Sequence, residues 1–319
     1  MQAHRRDACA TACATVSHYH GAMKPAFSTV ACTSWTFPRL FESLAQWGYL
    51  GCELRTQGYG GTQFACEPGL TDPAKIRSGF DRAGVAIASL GSSLRYDQKF
   101  GPPVIASVLH DVDKSVRETK AIVDLAVQLE CPLVRVFAFE LPDGERRASG
   151  LGRVVDRLKK AADHCRNSGV RLMLENGGSF PTATDLAEIL DAVDSPMLAA
   201  CYSPAVARMG GETAADGMNV LGERCVCVKV KDLKGGKPVA LGDGELHCRE
   251  SVEALTRAAF TGWIVHEFDR VWLGNGEEGA DIDGVMAASA ERLFTWIGRN
   301  RNSSAGRSPA ARPKPQPSH

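Results

Sequence analysis

Three short apolar runs in this chain end abruptly in charged residues: Met173-Leu174-Glu175, Val228-Lys229-Val230-Lys231-Asp232 and Trp263-Ile264-Val265-His266-Glu267. A strand that is apolar along its length and charged at its end puts the charge at the rim of an α/β barrel, where chemistry is done. Alternate residues of a strand share a face, so Lys229 goes with Lys231, Glu175 with Met173 and Glu267 with Val265. If each set points inward, two carboxylates and two ammonium groups meet at one mouth. Such a cluster is either a catalytic constellation or a structural salt-bridge network.

The rest of the chain repeats the strand and helix alternation that a barrel needs. Strands are expected at 26–33, 49–55, 85–91, 132–137, 170–175, 197–202, 225–231 and 263–267. Helices are expected at 39–47, 73–83, 111–129, 151–167, 184–190, 249–259 and 284–297. The first carries Leu40, Phe41, Leu44 and Trp47 at helical spacing with Gly48 at its end, and the second opens on the capping pair Asp72-Pro73. Parallel strands joined by crossover helices predict the α/β class and, at eight repeats, a single (β/α)8 TIM barrel. An open doubly wound sheet is the alternative, but no G-x-G-x-x-G opens the first helix. The barrel is expected to span 25–299, between a disordered extension at 1–24 and a Ser-, Arg- and Pro-rich disordered tail at 300–319. A Gly-rich loop through Gly58, Gly60 and Gly61 reads as a connection, and Trp263, Trp272 and Trp296 read as packing residues.

Composition narrows the partners. Net charge is +0 at 319 residues, so no global field favours nucleic acid or an acidic membrane surface. No run is long and apolar enough to cross a bilayer. Eleven cysteines are scattered without paired C-x-x-C motifs, which reads as reduced, buried thiols in a cytoplasmic protein. Arg5-Arg6 is followed by Asp7 and no apolar stretch, so an export signal is not expected.

Taken in order, Gly48 to Arg55 (against a pattern G-[YF]-D-G-[VI]-E-[LI]-R), Val134-Arg135-Val136-Phe137, Gly169 to Gly178, Lys231-Asp232 with Leu241 to Glu245, and Gly262 to Glu267 resemble the sugar phosphate isomerase/epimerase superfamily of xylose-isomerase-like barrels. That resemblance implies one divalent metal held by a Glu, an Asp, a His and a Glu on strands five to eight. The two glutamates map onto Glu175 and Glu267. The other two ligands are missing: strand six ends Cys201-Tyr202-Ser203, and Lys229 stands where the His is usual. No cofactor is therefore expected, a divalent metal at Glu175 and Glu267 being the alternative.

The resemblance further implies proton transfer next to a carbonyl, with Glu175 and Glu267 as base and acid while a cation steadies the enediolate; on physical grounds Lys229 can supply that cation, the alternative being that it only forms a structural salt bridge with the glutamates. Substrate contacts are expected from Glu53, Arg55, Arg135, Lys231 and Asp232. Competing structural roles are a mutual ion pair for Glu53 and Arg55, a rim pair for Arg135 and a loop anchor for Lys231-Asp232. The function expected is an isomerase or epimerase of a small sugar, polyol or hydroxy-keto acid. The alternative is a non-catalytic sugar or sugar-phosphate binding protein with a degenerate site. A small carbohydrate-like molecule is the expected partner, and homo-oligomers are compatible with the sequence.

Overall fold

A computed structural model describes residues 22–57, 61–98, 114–269 and 281–298. Its strands are β1 (Lys24–Ser28), β2 (Gly51–Gln57), β3 (Ala86–Arg95), β4 (Leu133–Phe137), β5 (Arg171–Glu175), β6 (Leu198–Tyr202), β7 (Cys225–Val230) and β8 (Trp263–His266). Each pairs in parallel with the next, and β1 pairs with both β8 and β2, so the sheet closes into a (β/α)8 barrel. The crossover helices are α1 (Phe37–Trp47), α2 (Pro73–Ala83), α3 (Lys114–Gln128), α4 (Arg147–His164), α5 (Ala183–Val193), α6 (Ala214–Leu221), α7 (Cys248–Arg257) and α8 (Ile282–Trp296). Among the described residues no helix is long and apolar enough to cross a membrane.

Local chemistry sets the element ends. Helix α1 buries Leu40, Leu44 and Trp47 of the expected stripe, with Phe37 in place of the partly exposed Phe41, and stops where Gly48 adopts φ 77° and donates its N–H to Leu44 O. Strand β1 is shorter than expected, because the Ser28 side chain accepts from Val30 N and turns Thr29–Cys32 into a 3-10 helix. Strand β3 is longer, running to Arg95. No helix is expected between β6 and β7, yet α6 forms there, capped by Thr213 Oγ1 accepting from Asp216 N at 3.2 Å. An antiparallel hairpin, Asp232–Lys234 with Lys237–Val239, follows β7. Residues 1–21 of the expected extension, the tail at 300–319, Gly58, Gly60, Trp272 and the start of the third helix lie outside the described residues.

Two apolar layers flank the sheet. The outer one packs strand residues such as Phe27, Leu54 and Val228 against Trp47, Ile122 and Leu293 of the helices. The inner one, formed by Ala26, Ala88, Leu133, Met173, Cys201, Cys227 and Val265, fills the lumen. Each Val, Leu, Ile, Phe or Met among them contributes roughly 1.5–3 kcal/mol when fully buried. The lumen residues matter most for the site, because parity then assigns the next inward position on the same strands. One step of two residues beyond Met173, Cys227 and Val265 lie Glu175, Lys229 and Glu267. An apolar floor thus carries a charged ceiling.

Candidate active site

Five ionisable side chains converge above that floor: Glu53 from β2, Arg135 from β4, Glu175 from β5, Lys229 from β7 and Glu267 just past β8, all buried. The Arg135 guanidinium is the hub, with one nitrogen, Nη1, lying 3.1 Å from Glu175 Oε2 and 3.3 Å from Glu267 Oε1. Its second amino group donates to Ser92 O at 3.1 Å. Lys229 Nζ is bonded to Glu53 Oε1 and lies 3.5 Å from Glu267 Oε1. Lys231, less enclosed, reaches Glu267 Oε2 at 3.2 Å.

The sequence led us to expect Lys229 to bridge Glu175 and Glu267. Instead Arg135 does so, and Lys229 is drawn to Glu53. Strand position explains the exchange: Lys229 still meets two carboxylates, Glu53 and Glu267, but Glu175 lies on the strand paired with that of Arg135, so the guanidinium is the cation that reaches it. Glu53 is close because Gly91 on the adjacent strand lacks a side chain; a Cβ there would lie 2.9 Å from Glu53 Cδ and Oε1. Ser89 Oγ completes the cradle, donating to Glu53 Oε2 at 3.1 Å. Glu53 and Arg55 do not pair in a surface ion pair. Arg55 donates to Gly91 O at 2.6 Å and Ser93 Oγ at 2.7 Å, bracing the mouth between β2 and β3.

The electrostatics separate the two glutamates. Burial raises the Glu175 carboxyl, and repulsion from Glu267 adds to this, so its pKa lies above the usual carboxylate range despite the attraction of Arg135. Burial also penalises Glu267, but Lys229, Lys231 and Arg135 together hold it well below that range. Glu53 is likewise lowered, with Lys229 and Arg135 outweighing burial. On Lys229 the three carboxylates override burial and raise the ammonium pKa, so it stays charged. Environments that push paired carboxyls apart are the usual way an acid/base couple is made.

Asp232 is a loop anchor. Its carboxylate accepts from Leu233 N at 3.1 Å, Gly242 N at 2.8 Å, Gly244 N at 3.0 Å and Leu246 N at 3.0 Å, which explains the Leu241 to Glu245 motif as a turn wrapped around one side chain. Asn176, to which the sequence reading gave no role, stitches β5 to β6: its Nδ2 donates to Pro181 O at 2.7 Å and Ser203 O at 3.1 Å, and its Oδ1 accepts from Ser203 N at 2.7 Å. An amide next to a strand-end glutamate is the signal that could have found it. His266 faces away from the mouth toward Tyr49 and is kept neutral by burial, with a pKa of about 3. Two buried polar atoms at the mouth lack a protein partner, Arg135 Nε and Ser203 Oγ.

A divalent metal does not fit this donor set. Among the described residues no cluster of three or more His, Cys, Asp or Glu side chains could hold one. The two mapped glutamates are already joined by a guanidinium, and a dication beside Arg135 and Lys229 would meet direct repulsion, about 4 kcal/mol per unit-charge pair at 4 Å and an effective dielectric near 20.

Comparison with known proteins places this geometry in context. A family model described as xylose isomerase-like TIM barrel matches residues 41–289. No curated protein sequence matches the chain. Among solved structures, a D-allulose 3-epimerase from Methylomonas sp. is 16% identical with a TM-score of 0.68, covering 86% of this chain and 98% of its own. An IOLI protein with a bound zinc atom is 14% identical with a TM-score of 0.69, covering 86% and 98%. The probable 3-DHS dehydratase AsbF of Bacillus anthracis is 14% identical with a TM-score of 0.67, covering 85% and 99%. At these identities the likeness shows the fold.

Proposed function

This chain belongs to the xylose isomerase-like TIM barrel family, and from that premise we propose that it is an isomerase or epimerase of a small sugar, polyol or hydroxy-keto acid that works without a metal. The observation that carries the proposal is the single Arg135 nitrogen shared by Glu175 and Glu267 at 3.1 and 3.3 Å. Glu175, whose raised pKa suits a group that must both take and return a proton, abstracts hydrogen from the carbon next to the substrate carbonyl. The electron pair moves onto the carbonyl oxygen, and the Arg135 guanidinium, the cation that meets Glu175 and Glu267 together, is the charge that steadies the enediolate. Return of the proton by Glu175 to the neighbouring carbon, with the hydroxyl proton passing to the former carbonyl oxygen, gives isomerisation; protonation of the same carbon from its opposite face by water, whose hydroxide then takes the Glu175 proton, gives epimerisation. Glu267 stays ionised and fixes Arg135. An epimerase and a dehydratase among the similar structures support the reaction class.

The test is deuterium incorporation beside the carbonyl when a panel of small ketoses is incubated with the protein in heavy water. Wild type is expected to exchange at least one, and Glu175→Gln to lose exchange by two orders of magnitude or more. Retained exchange in Glu175→Gln would remove Glu175 from the role.

One observation favours a second reading, a non-catalytic binding protein. Glu175 is itself enclosed and paired with Arg135 at 3.1 Å, and a carboxyl held in a buried ion pair is a poor proton carrier. That reading predicts ketose-induced stabilisation with no exchange, and any exchange that disappears in Glu175→Gln disposes of it.

Metal independence has its own measurement. Dialysis against a chelator should leave the melting temperature and the exchange rate unchanged, and elemental analysis should find well under one zinc, manganese or cobalt per chain. One tightly held metal per chain would overturn this part of the proposal. The nine described cysteines, all buried and unbridged, support work in a reducing compartment such as the cytoplasm.

A further inference from the structure

Strand β3 is irregular where it passes Arg135. Between the register pairs Gly91–Arg135 and Arg95–Phe137 it advances four residues while β4 advances two, so Ser92, Ser93 and Leu94 bow out of the ladder as a bulge. A regular strand aims its carbonyls at its neighbours in the sheet and none into the lumen. The bow frees one of them: Ser92 O receives the second amino group of Arg135 at 3.1 Å. Bulges beside a site commonly re-aim a group in this way.

That bond decides how Arg135 meets the glutamates. A guanidinium left to itself takes a single carboxylate with two parallel N–H groups, the bidentate fork that is its strongest pairing. With Nη2 held on a carbonyl, Nη1 alone serves Glu175 and Glu267, and both share it at 3.1 and 3.3 Å. The Phe137 ring, 4.8 Å from Arg135 Cζ, backs the guanidinium plane.

Two side chains keep the bulge in shape. Ser92 Oγ, fully buried, donates to Arg135 O and accepts from Leu94 N at 3.2 Å, tying the bowed segment to β4. On the other side Arg55, the register partner of Gly91, grips the segment at two points, Gly91 O at 2.6 Å and Ser93 Oγ at 2.7 Å. Desolvation and repulsion both oppose a second guanidinium here: burial, together with the charge of Arg135, pushes the Arg55 pKa down to about 10. Both ends of the grip flank Ser92 in the chain, so moving Arg55 moves the carbonyl that Arg135 uses.

We propose that Arg55 is a positioning residue for proton transfer: it sets the β3 bulge, the bulge sets the Ser92 carbonyl, and that carbonyl holds Arg135 so that one nitrogen serves both glutamates. The proposal rests on the proton-transfer reading of Glu175 and removes Arg55 from the substrate contacts expected of it. A small misplacement of a catalytic charge costs rate rather than binding.

The experiment uses full-length wild type, Arg55→Lys and Ser93→Ala. Lysine keeps the charge but lacks the rigid fork that spans two acceptors. Ser93 is exposed, so its replacement frees one point of the grip in a protein that still folds. Arg135 is observed by NMR in protein carrying isotope-labelled arginine, its side-chain signals being those that vanish in Arg135→Lys. A guanidinium fixed at both amino groups should give separate Nη1 and Nη2 signals in wild type, and these should merge in Arg55→Lys as the group turns. In the ketose assay the saturated rate of deuterium incorporation should fall about tenfold in Arg55→Lys and about threefold in Ser93→Ala, with the half-saturating concentration unchanged. Unmoved Arg135 signals in both variants would overturn the proposal while leaving Glu175 in its role. So would a raised half-saturating concentration at an unchanged saturated rate, which would return Arg55 to the substrate. If wild type exchanges no ketose, the reading of Glu175 falls and the role of Arg55 in proton transfer falls with it.

Discussion

Arg135→Leu should lower the melting temperature by roughly ten degrees at neutral pH, because removing one partner of a buried ionic network costs about 3–5 kcal/mol and each kcal/mol moves a chain of this size by about 2–4 °C. The cause is the charge left behind. Glu175 and Glu267 are both buried, and Arg135 Nη1 is the group that touches them both. The pH dependence separates this cause from lost packing. Glu267 in wild type has a depressed pKa, so its contribution is present above the unfolded value and is lost only as pH falls through the folded one, well below 4.5. Glu175 is raised, so it binds its proton more readily folded than unfolded and favours the native state as pH falls. Without Arg135 both carboxyls titrate higher, and the variant should regain stability relative to wild type between about pH 7 and 5. Arg135→Lys, which keeps the charge but not the fork, should recover part of the loss. Thermal melts across that range check this, and a deficit that is constant or grows toward acid would show that Arg135 matters through packing alone.

The fold was readable because a parallel barrel is a repetitive object. Apolar runs such as Leu172 to Leu174 and amphipathic stretches such as α2, with Asp72 accepting from Ala74 N and Lys75 N at its cap, announce themselves locally. Strand parity also placed Glu175, Lys229 and Glu267 on inward positions without reference to the rest of the chain. What local patterns do not contain is the pairing between strands. Whether Lys229 pairs with Glu53 or Glu175 depends on register and on the space that Gly91 leaves on a neighbouring strand, and nothing within the Lys229 segment encodes either. Asp232 illustrates the same limit: its three most distant donors lie 10 to 14 residues downstream and come to it only once the hairpin has formed. Helix α6 was missed for a different reason, since Ala214–Leu221 carries Gly217 at its centre and presents only a brief apolar stripe.

The Lys229–Glu53 pair should give the largest coupling energy in the protein. Both side chains are fully enclosed, 0% exposed, so neither charge can turn to water when its partner is removed. Lys229→Met should therefore destabilise by about 3–5 kcal/mol, leaving Glu53 with only Ser89 as a direct donor and Glu267 short of one cation. Glu53→Leu should cost less, because Lys229 can still lean toward Glu267 from its present 3.5 Å. The double variant replaces the pair with apolar groups of similar length against the apolar lumen floor. It should be more stable than the sum of the two singles implies by about 2–3 kcal/mol, the upper end for contacting residues. Urea unfolding of the four proteins measures this, and simple additivity would mean that the two groups do not meet in solution. The cycle also bears on chemistry. Lys229 has no exposed surface from which to touch a substrate, so its influence on exchange must pass through Glu267 and thence Arg135. Loss of exchange in Lys229→Met that is restored in the double variant would locate the lysine's role in balancing charge rather than in binding the enediolate.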